Sequence, residues 1–209
     1  MRLHYGSIPD EFEPDSSWRT IREPGPLLVQ VIATPIGLGL AFVIGYWWLQ
    51  LGDTLKIVLP SGAAVMMLVA FALSFPVLIV VHELIHAVVY PEFGMSRKSI
   101  IGVWPSRFLF YAHHSAPITK ERFLAVFAMP FLVITIVPLV FASFGLLPKA
   151  WMFWATWFST WNALFACGDA FGFFMILFQV PRRSLVQNKG WRTYWKPAST
   201  PPSAEAKAS

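Results

Sequence analysis

Two histidines and a glutamate lie in the segment VVHELIHAVVY, residues 80–90. His82 and His86 are four residues apart, so in a helix they share one face and their imidazoles can bind a single zinc ion. Glu83 lies near the same face, where its carboxylate can take a proton from a zinc-bound water and later pass it to a leaving amine. The spacing therefore predicts a zinc site with hydrolytic chemistry.

A catalytic zinc site normally uses three protein ligands and keeps a fourth position for water. Asp169 is the best candidate for the third ligand, because it is the only formally charged residue between Lys149 and Arg182. A charge inside such an apolar stretch is costly unless a metal or another partner compensates it. The alternative is an aspartate that is hydrogen-bonded to a neighbouring helix or lines a wet cavity.

Three further side chains have more than one reading. Asn162 lies seven residues before Asp169, two helical turns away and on the same face, so it can orient substrate or a ligand, or make an interhelical hydrogen bond. His113 and His114 are rival metal ligands, oxyanion or substrate contacts, or solvated loop histidines.

Cys167 is the only cysteine, which excludes an intramolecular disulfide and a multi-cysteine zinc site.

The composition indicates that these residues sit in a membrane protein. The mean hydropathy is +0.57, with 56% hydrophobic and 13% charged residues, whereas about a quarter of residues are charged in soluble domains. Four predominantly apolar stretches are each long enough to cross a bilayer, which takes roughly 20 helical residues. They are residues 26–51, 57–90, 123–147 and 151–180. The sequence predicts an all-α integral membrane protein with about four transmembrane helices.

The positions of basic residues predict the orientation of these helices. Fourteen of the sixteen lysines and arginines lie before the first stretch, between the second and third, or after the fourth. Only Lys56 and Lys149 lie on the other side, so both termini and the central loop are expected in the cytoplasm. The positive charge is thus a topology signal, and no nucleic-acid-binding module accompanies it.

The chain divides into three predicted regions. Residues 1–25 form a cytoplasmic segment without the pattern of a cleavable signal peptide. Residues 26–180 form a membrane-embedded zinc peptidase-like domain. Residues 181–209 form a cytoplasmic, largely disordered tail that ends in PASTPPSAEAKAS. We expect a multi-pass protein of a bacterial plasma membrane.

The central loop contains two short β-prone runs, SIIGVW and RFLFYAH, separated by Pro-Ser. They predict a hairpin or a re-entrant segment beside the site, on the cytoplasmic side. The edge of such a strand can hold an extended peptide by backbone hydrogen bonds. Thr119 is predicted to cap the next helix, with Glu121 in its first turn.

Three segments together resemble a known family: HELIHAVVYPEFG, FYAHHSAPITKERFLAVFAMP and NALFACGD. They are similar to zincin peptidases of integral membranes, whose layout resembles that of site-2 proteases, over roughly residues 60–180. The resemblance implies zinc held by His82 and His86, Glu83 as catalytic acid/base, and an aspartate from a later membrane helix, here Asp169. Site-2 proteases carry that aspartate in an Asn-Pro segment ending in Leu-Asp-Gly, whereas this chain has Gly-Asp and no intervening proline.

We therefore predict a membrane-embedded zinc metallopeptidase that hydrolyses peptide bonds within or next to the membrane. Its partners would be the lipid bilayer and a peptide or membrane-protein substrate. Two alternatives remain open: a non-catalytic metal-binding membrane scaffold, and a proton or metal relay in a transporter.

Overall fold

The structure of the protein is a computed structural model that describes residues 1–52 and 64–198. In those residues the chain forms six α-helices and seven β-strands. The helices are α1 (Pro26–Gln50), α2 (Ala64–Val89), α3 (Lys120–Pro130), α4 (Val137–Ser143), α5 (Lys149–Phe165) and α6 (Cys167–Gln179). The strands are β1 (Arg2–Tyr5), β2 (Arg19–Thr20), β3 (Ser99–Trp104), β4 (Leu109–His114), β5 (Ile118–Thr119), β6 (Ser184–Lys189) and β7 (Arg192–Pro197).

The apolar stretches form helices of membrane-crossing length. Helices at 26–50, 65–89 and 120–143 are long and apolar enough to cross a membrane, and α5 with α6 counts as a fourth if that bent pair is one span. The prediction of about four helices agrees with this upper count. The start of the second predicted stretch, residues 57–63, lies outside the described residues.

The third and fourth stretches are interrupted. Between α3 and α4 the chain forms a π-helical turn, Phe131–Ile136, directly after Pro130, because proline cannot donate the hydrogen bond that continues an α-helix. Between α5 and α6 the axis bends by 51°. At this bend α1 comes close, since a Cβ on Gly37 would lie 2.5 Å from the Leu164 carbonyl oxygen.

The prediction of an all-α fold is wrong in one respect, because the chain also forms two small β-sheets. The predicted hairpin is present, with β3 and β4 antiparallel around the turn Pro105–Arg107. β1 pairs in parallel with β3, giving the order β1-β3-β4, and a second sheet has the order β2-β7-β6-β5. β1, β2 and β5 are short and pair with strands far away in the chain, for example Arg2 opposite Ile100, so no local pattern reveals them.

The C-terminal region also differs from its prediction as a largely disordered tail. Residues 184–197 form the antiparallel hairpin β6–β7, and β7 also pairs with β2 near the N-terminus. The hairpin is stabilised by tertiary packing, since Val186 is fully buried. The remainder of the tail, residues 199–209, lies outside the described residues.

Strand pairing gathers the N-terminus, the central loop and the C-terminal hairpin at one end of the helices. An apolar core joins this end to α2, α3 and α6, with Ala87, Val126, Ile176 and Val186 among its buried members. Lys120, at the start of α3, is buried and donates to the Leu177 and Val180 carbonyls at the end of α6. A cation at a helix C-terminus is favourable, and here it fixes α6 against α3.

Candidate metal centre

Helix α2 presents His82 and His86 on one face, as their spacing predicts. Their Nε2 atoms lie 3.1 Å apart and both rings are buried. Asp169 arrives from the first turn of α6, just after the bend. Its Oδ2 atom lies 2.9 Å from His82 Nε2 and 3.3 Å from His86 Nε2. The structure thus brings together the three residues that the sequence proposes as ligands.

The other nitrogen of each imidazole is already engaged. His86 Nδ1 lies 2.8 Å from the Val126 carbonyl oxygen, and His82 Nδ1 lies 2.9 Å from Asn162 Oδ1. Both oxygens are acceptors only, so each Nδ1 carries the donated proton. A neutral imidazole with its proton on Nδ1 has a lone pair on Nε2. Both lone pairs therefore belong to the atoms that face Asp169.

The orientation of the Asn162 amide follows from its remaining contacts. Its nitrogen lies 3.1 Å from the Pro130 carbonyl oxygen and 2.9 Å from Thr135 Oγ1. Because a carbonyl oxygen only accepts, the amide nitrogen must face Pro130, which leaves Oδ1 toward His82. This arrangement, in which the second nitrogen of a ligating histidine donates to a carbonyl, is usual in metal sites.

The three facing atoms fit a zinc ion. Tetrahedral zinc with bonds of about 2.0 Å separates its ligand atoms by about 3.3 Å, close to the separations of 2.9 to 3.3 Å seen here. Asp169 Oδ2 is buried, and its close polar neighbours are the two Nε2 atoms. Lone pairs held this close repel one another unless a positive charge lies between them. Within the described chain, these three residues form the one such group of His, Cys, Asp or Glu with metal-binding geometry.

Comparison with known families supports this reading of the site. Residues 75–185, more than half of the chain, match the family described as "Putative zincin peptidase". The chain belongs to this zincin peptidase family. No curated protein and no solved structure matches it, so the similarity in layout to site-2 proteases stays a prediction. The matched region includes His82, Glu83, His86 and Asp169.

Glu83 of this zincin-family protein lies beside the three ligand candidates. Its side chain is 8% exposed, and its carboxylate interacts electrostatically with both histidines and Asp169. The backbone N–H of Ala112 in β4 interacts favourably with the carboxylate, while Oε2 has no hydrogen-bond partner among the described residues. One carboxylate oxygen is thus left available to a ligand in the site.

The two loop histidines of the zincin-family chain lie apart from the metal group. His114 bonds Ser99 Oγ at 3.1 Å and stacks on Tyr90. His113 points to the other face of the sheet and lines a cavity of about 310 Å³ with residues of the N-terminal segment. Burial, and then the neighbouring His114, lower the pKa of His113 to about 4. Their roles as rival ligands find no support in this geometry.

Sequence reasoning missed several contributors to the site. The Val126 carbonyl and the Ala112 N–H are backbone groups, which a sequence motif of side chains does not contain. Thr135 supports Asn162 from a different helix. Pro130 is the one missed residue with a local signal, since a proline inside an apolar helical run marks a carbonyl that loses its usual donor.

Proposed function

We propose that this chain is a membrane-embedded zinc metallopeptidase that hydrolyses peptide bonds within or next to the membrane. The observation that carries the proposal is the convergence of His82 Nε2, His86 Nε2 and Asp169 Oδ2 within 3.3 Å of one another. Membership of the zincin peptidase family supports the same chemistry.

The zinc ligands in this proposal are His82, His86 and Asp169. Bound there, zinc would polarise the scissile carbonyl and lower the pKa of water. The two histidines are held with Nε2 toward the metal by their Nδ1–H bonds to Val126 and Asn162. Asp169 supplies the negative charge that partly neutralises the cation.

Glu83 acts as the general base and acid. Its carboxylate takes a proton from the attacking water and then delivers it to the departing amine, so that water adds across the peptide bond. The Ala112 N–H interacts favourably with the carboxylate, and Oε2, which has no hydrogen-bond partner among the described residues, is the oxygen we assign to the reacting water. The burial of Glu83 strengthens these interactions by excluding bulk solvent.

The surface of the helices supports a place in the bilayer. Along α2, large apolar side chains are exposed over its whole length: Val65, Met66, Leu68, Val69, Leu73, Val77, Val80, Val81, Leu84 and Val88. An apolar surface of this extent is rare on soluble monomers. His86 lies three residues before the end of α2, the end that packs against β3 and β4. We propose that water enters the site from that end and that a membrane segment approaches from the side.

The β4 edge supports a peptide as the substrate. β4 is the terminal strand of its sheet, and the carbonyl of Ala112 accepts a hydrogen bond from Tyr90 on the side toward α2. The outward edge of β4 therefore faces α2, the helix that carries Glu83 and both histidines. Extended peptides commonly bind to such strand edges.

The test is the zinc content of the detergent-purified full chain, measured by elemental analysis after zinc reconstitution. We compare wild type with His86→Ala, Asp169→Asn and Glu83→Gln, and with His113→Gln as a matched histidine control. We expect about one zinc per chain in wild type, Glu83→Gln and His113→Gln, and loss of zinc from the other two. A wild-type protein that binds no zinc would overturn the proposal.

Hydrolysis is then measured after the protein has been reconstituted into lipid vesicles. The two probes are fluorescein-labelled casein and a labelled single-span protein placed in the same membrane. A peptidase cleaves at least one probe, and Glu83→Gln greatly slows cleavage without releasing zinc. Zinc binding without cleavage, and with full tolerance of Glu83→Gln, would indicate the metal-binding scaffold instead. Zinc or proton flux into proteoliposomes would indicate the relay.

A further inference from the structure

Helix α3 leaves one carbonyl without its helical donor beside the metal centre. In an α-helix the Val126 carbonyl accepts from the N–H of residue 130, but Pro130 has no N–H. The N–H of Phe131 turns to the Ala128 carbonyl instead. The Val126 oxygen is therefore open to another donor, and it accepts from His86 Nδ1 at 2.8 Å.

The carbonyl of the same proline acts on the second histidine. Pro130 lies where α3 passes into the π-helical turn, a feature often found at functional sites. Its oxygen accepts from the Asn162 amide nitrogen at 3.1 Å. This contact orients the amide so that Oδ1 accepts from His82 Nδ1 at 2.9 Å.

A buried network fixes this arrangement from behind. Thr135 Oγ1 accepts from Asn162 and donates to the Ser159 carbonyl, and Ser159 Oγ donates back to the Thr135 carbonyl. Trp48 Nε1 donates to the same Ser159 hydroxyl at 2.9 Å. Pro130 and the four side chains of the network are all less than 2% exposed. A fully satisfied network of this kind is rigid.

We propose that Pro130 is the positioning residue for both histidine ligands. Its missing N–H frees the Val126 carbonyl for His86, and its own carbonyl sets the Asn162 amide for His82. One residue thereby holds both imidazoles as Nδ1–H tautomers with Nε2 toward Asp169. This inference rests on the proposed zinc site but concerns its preorganisation, which can be measured without any substrate.

The decisive variant is Pro130→Ala in the full chain. The new N–H at residue 130 competes with His86 for the Val126 carbonyl. Loss of such a supporting contact typically weakens metal binding about 10-fold to 100-fold, so we expect at least about a 10-fold rise in the zinc Kd by chelator competition. In the metal-free protein, at a pH high enough for His86 to be neutral, ¹⁵N-histidine NMR should show His86 changing from the Nδ1–H tautomer to a mixture.

Two controls separate the missing N–H from general effects of proline. Pro138→Ala alters a second proline of the same span, at the start of α4, and should leave the zinc Kd and the tautomers unchanged. Replacing residue 130 with lactic acid, the α-hydroxy counterpart of alanine, by nonsense suppression removes both the ring and the N–H. Because it also cannot donate at this position, it should keep zinc affinity near that of wild type even if Pro130→Ala does not fold.

The outcomes distinguish this inference from the proposed function. If wild type binds zinc and Pro130→Ala binds it equally well with His86 still in the Nδ1–H form, the role of Pro130 is overturned and the zinc site stands. If the lactic acid variant loses as much affinity as Pro130→Ala, the missing N–H is not what matters, which also overturns it. If wild type binds no zinc, the proposed function fails, while the tautomers still report whether Pro130 orients the histidines.

Discussion

The chain contains two pairs of histidines, one on a helix and one in a strand, and the two elements direct their side chains differently. His82 and His86 are four residues apart on a helix, and their Nε2 atoms lie 3.1 Å apart. His113 and His114 are adjacent in β4, where successive side chains point to opposite faces. His114 stacks on Tyr90, whereas His113 lines a cavity together with residues of the N-terminal segment. A shared metal thus depends on the period of the element rather than on closeness in sequence.

The largest expected effect concerns the residue between the helical pair. Glu83→Gln removes the general base while keeping the shape of the side chain, so hydrolysis should fall by about 10²-fold to 10⁴-fold. The rate on a cleaved probe checks this, with zinc content measured in parallel. An unchanged cleavage rate would show that Glu83 is not the general base.

The second-largest expected effect is on zinc affinity, which should depend on the helical pair and not on the strand pair. Asp169→Asn removes a charged ligand, so the zinc Kd should rise by more than about 100-fold, exceeding the usual effect of supporting residues. His113→Gln and His114→Gln should leave the Kd within about twofold of wild type, since neither belongs to the group. Chelator competition measures all three. A rise in the zinc Kd of either strand-histidine variant as large as that of Asp169→Asn would contradict this difference between the two pairs.

Packing at the bend that presents Asp169 should have an intermediate effect. A methyl group on Gly37 would meet the Leu164 carbonyl at 2.5 Å and Cys167 Cβ at 2.8 Å, so Gly37→Ala should destabilise the protein by about 1–3 kcal/mol. Gly39→Ala is the matched control, because a Cβ there meets no described atom within 4 Å. Thermal unfolding in detergent tests this. Equal melting temperatures for the two variants would contradict close packing at the bend.

The smallest effect is a pH dependence from the strand pair. The pKa of His113 in the folded chain is lowered to about 4 by burial, below its unfolded value of about 6.5. The unfolded state then binds more protons between these values, so stability is lost as pH falls from about 6.5 to 4. His113→Gln should reduce the loss between pH 7 and 5.5 by about 1 kcal/mol. The exposed His4 provides the control as His4→Gln.

Local patterns predicted a large part of this molecule. The apolar stretches form helices, Thr119 caps α3 with its Oγ1 accepting from the Arg122 N–H, and the two β-prone runs form a hairpin. These features depend on neighbours in the chain. The pairing of β1 with β3 and of β2 with β7 joins segments about a hundred or more residues apart, and the all-α prediction overlooked it for that reason.

The sequence by itself determined that His82 and His86 share one face of an apolar helix with Glu83 beside them, because helical periodicity fixes which residues lie on a face. It also marked Asp169 as a charge that needs a partner. Only the tertiary structure decided that the bend before α6 brings Asp169 Oδ2 to both imidazoles, and that Val126 and Asn162 hold their other nitrogens. These contacts join residues 40 to 87 positions apart, so they follow from how the helices pack, which no local spacing specifies.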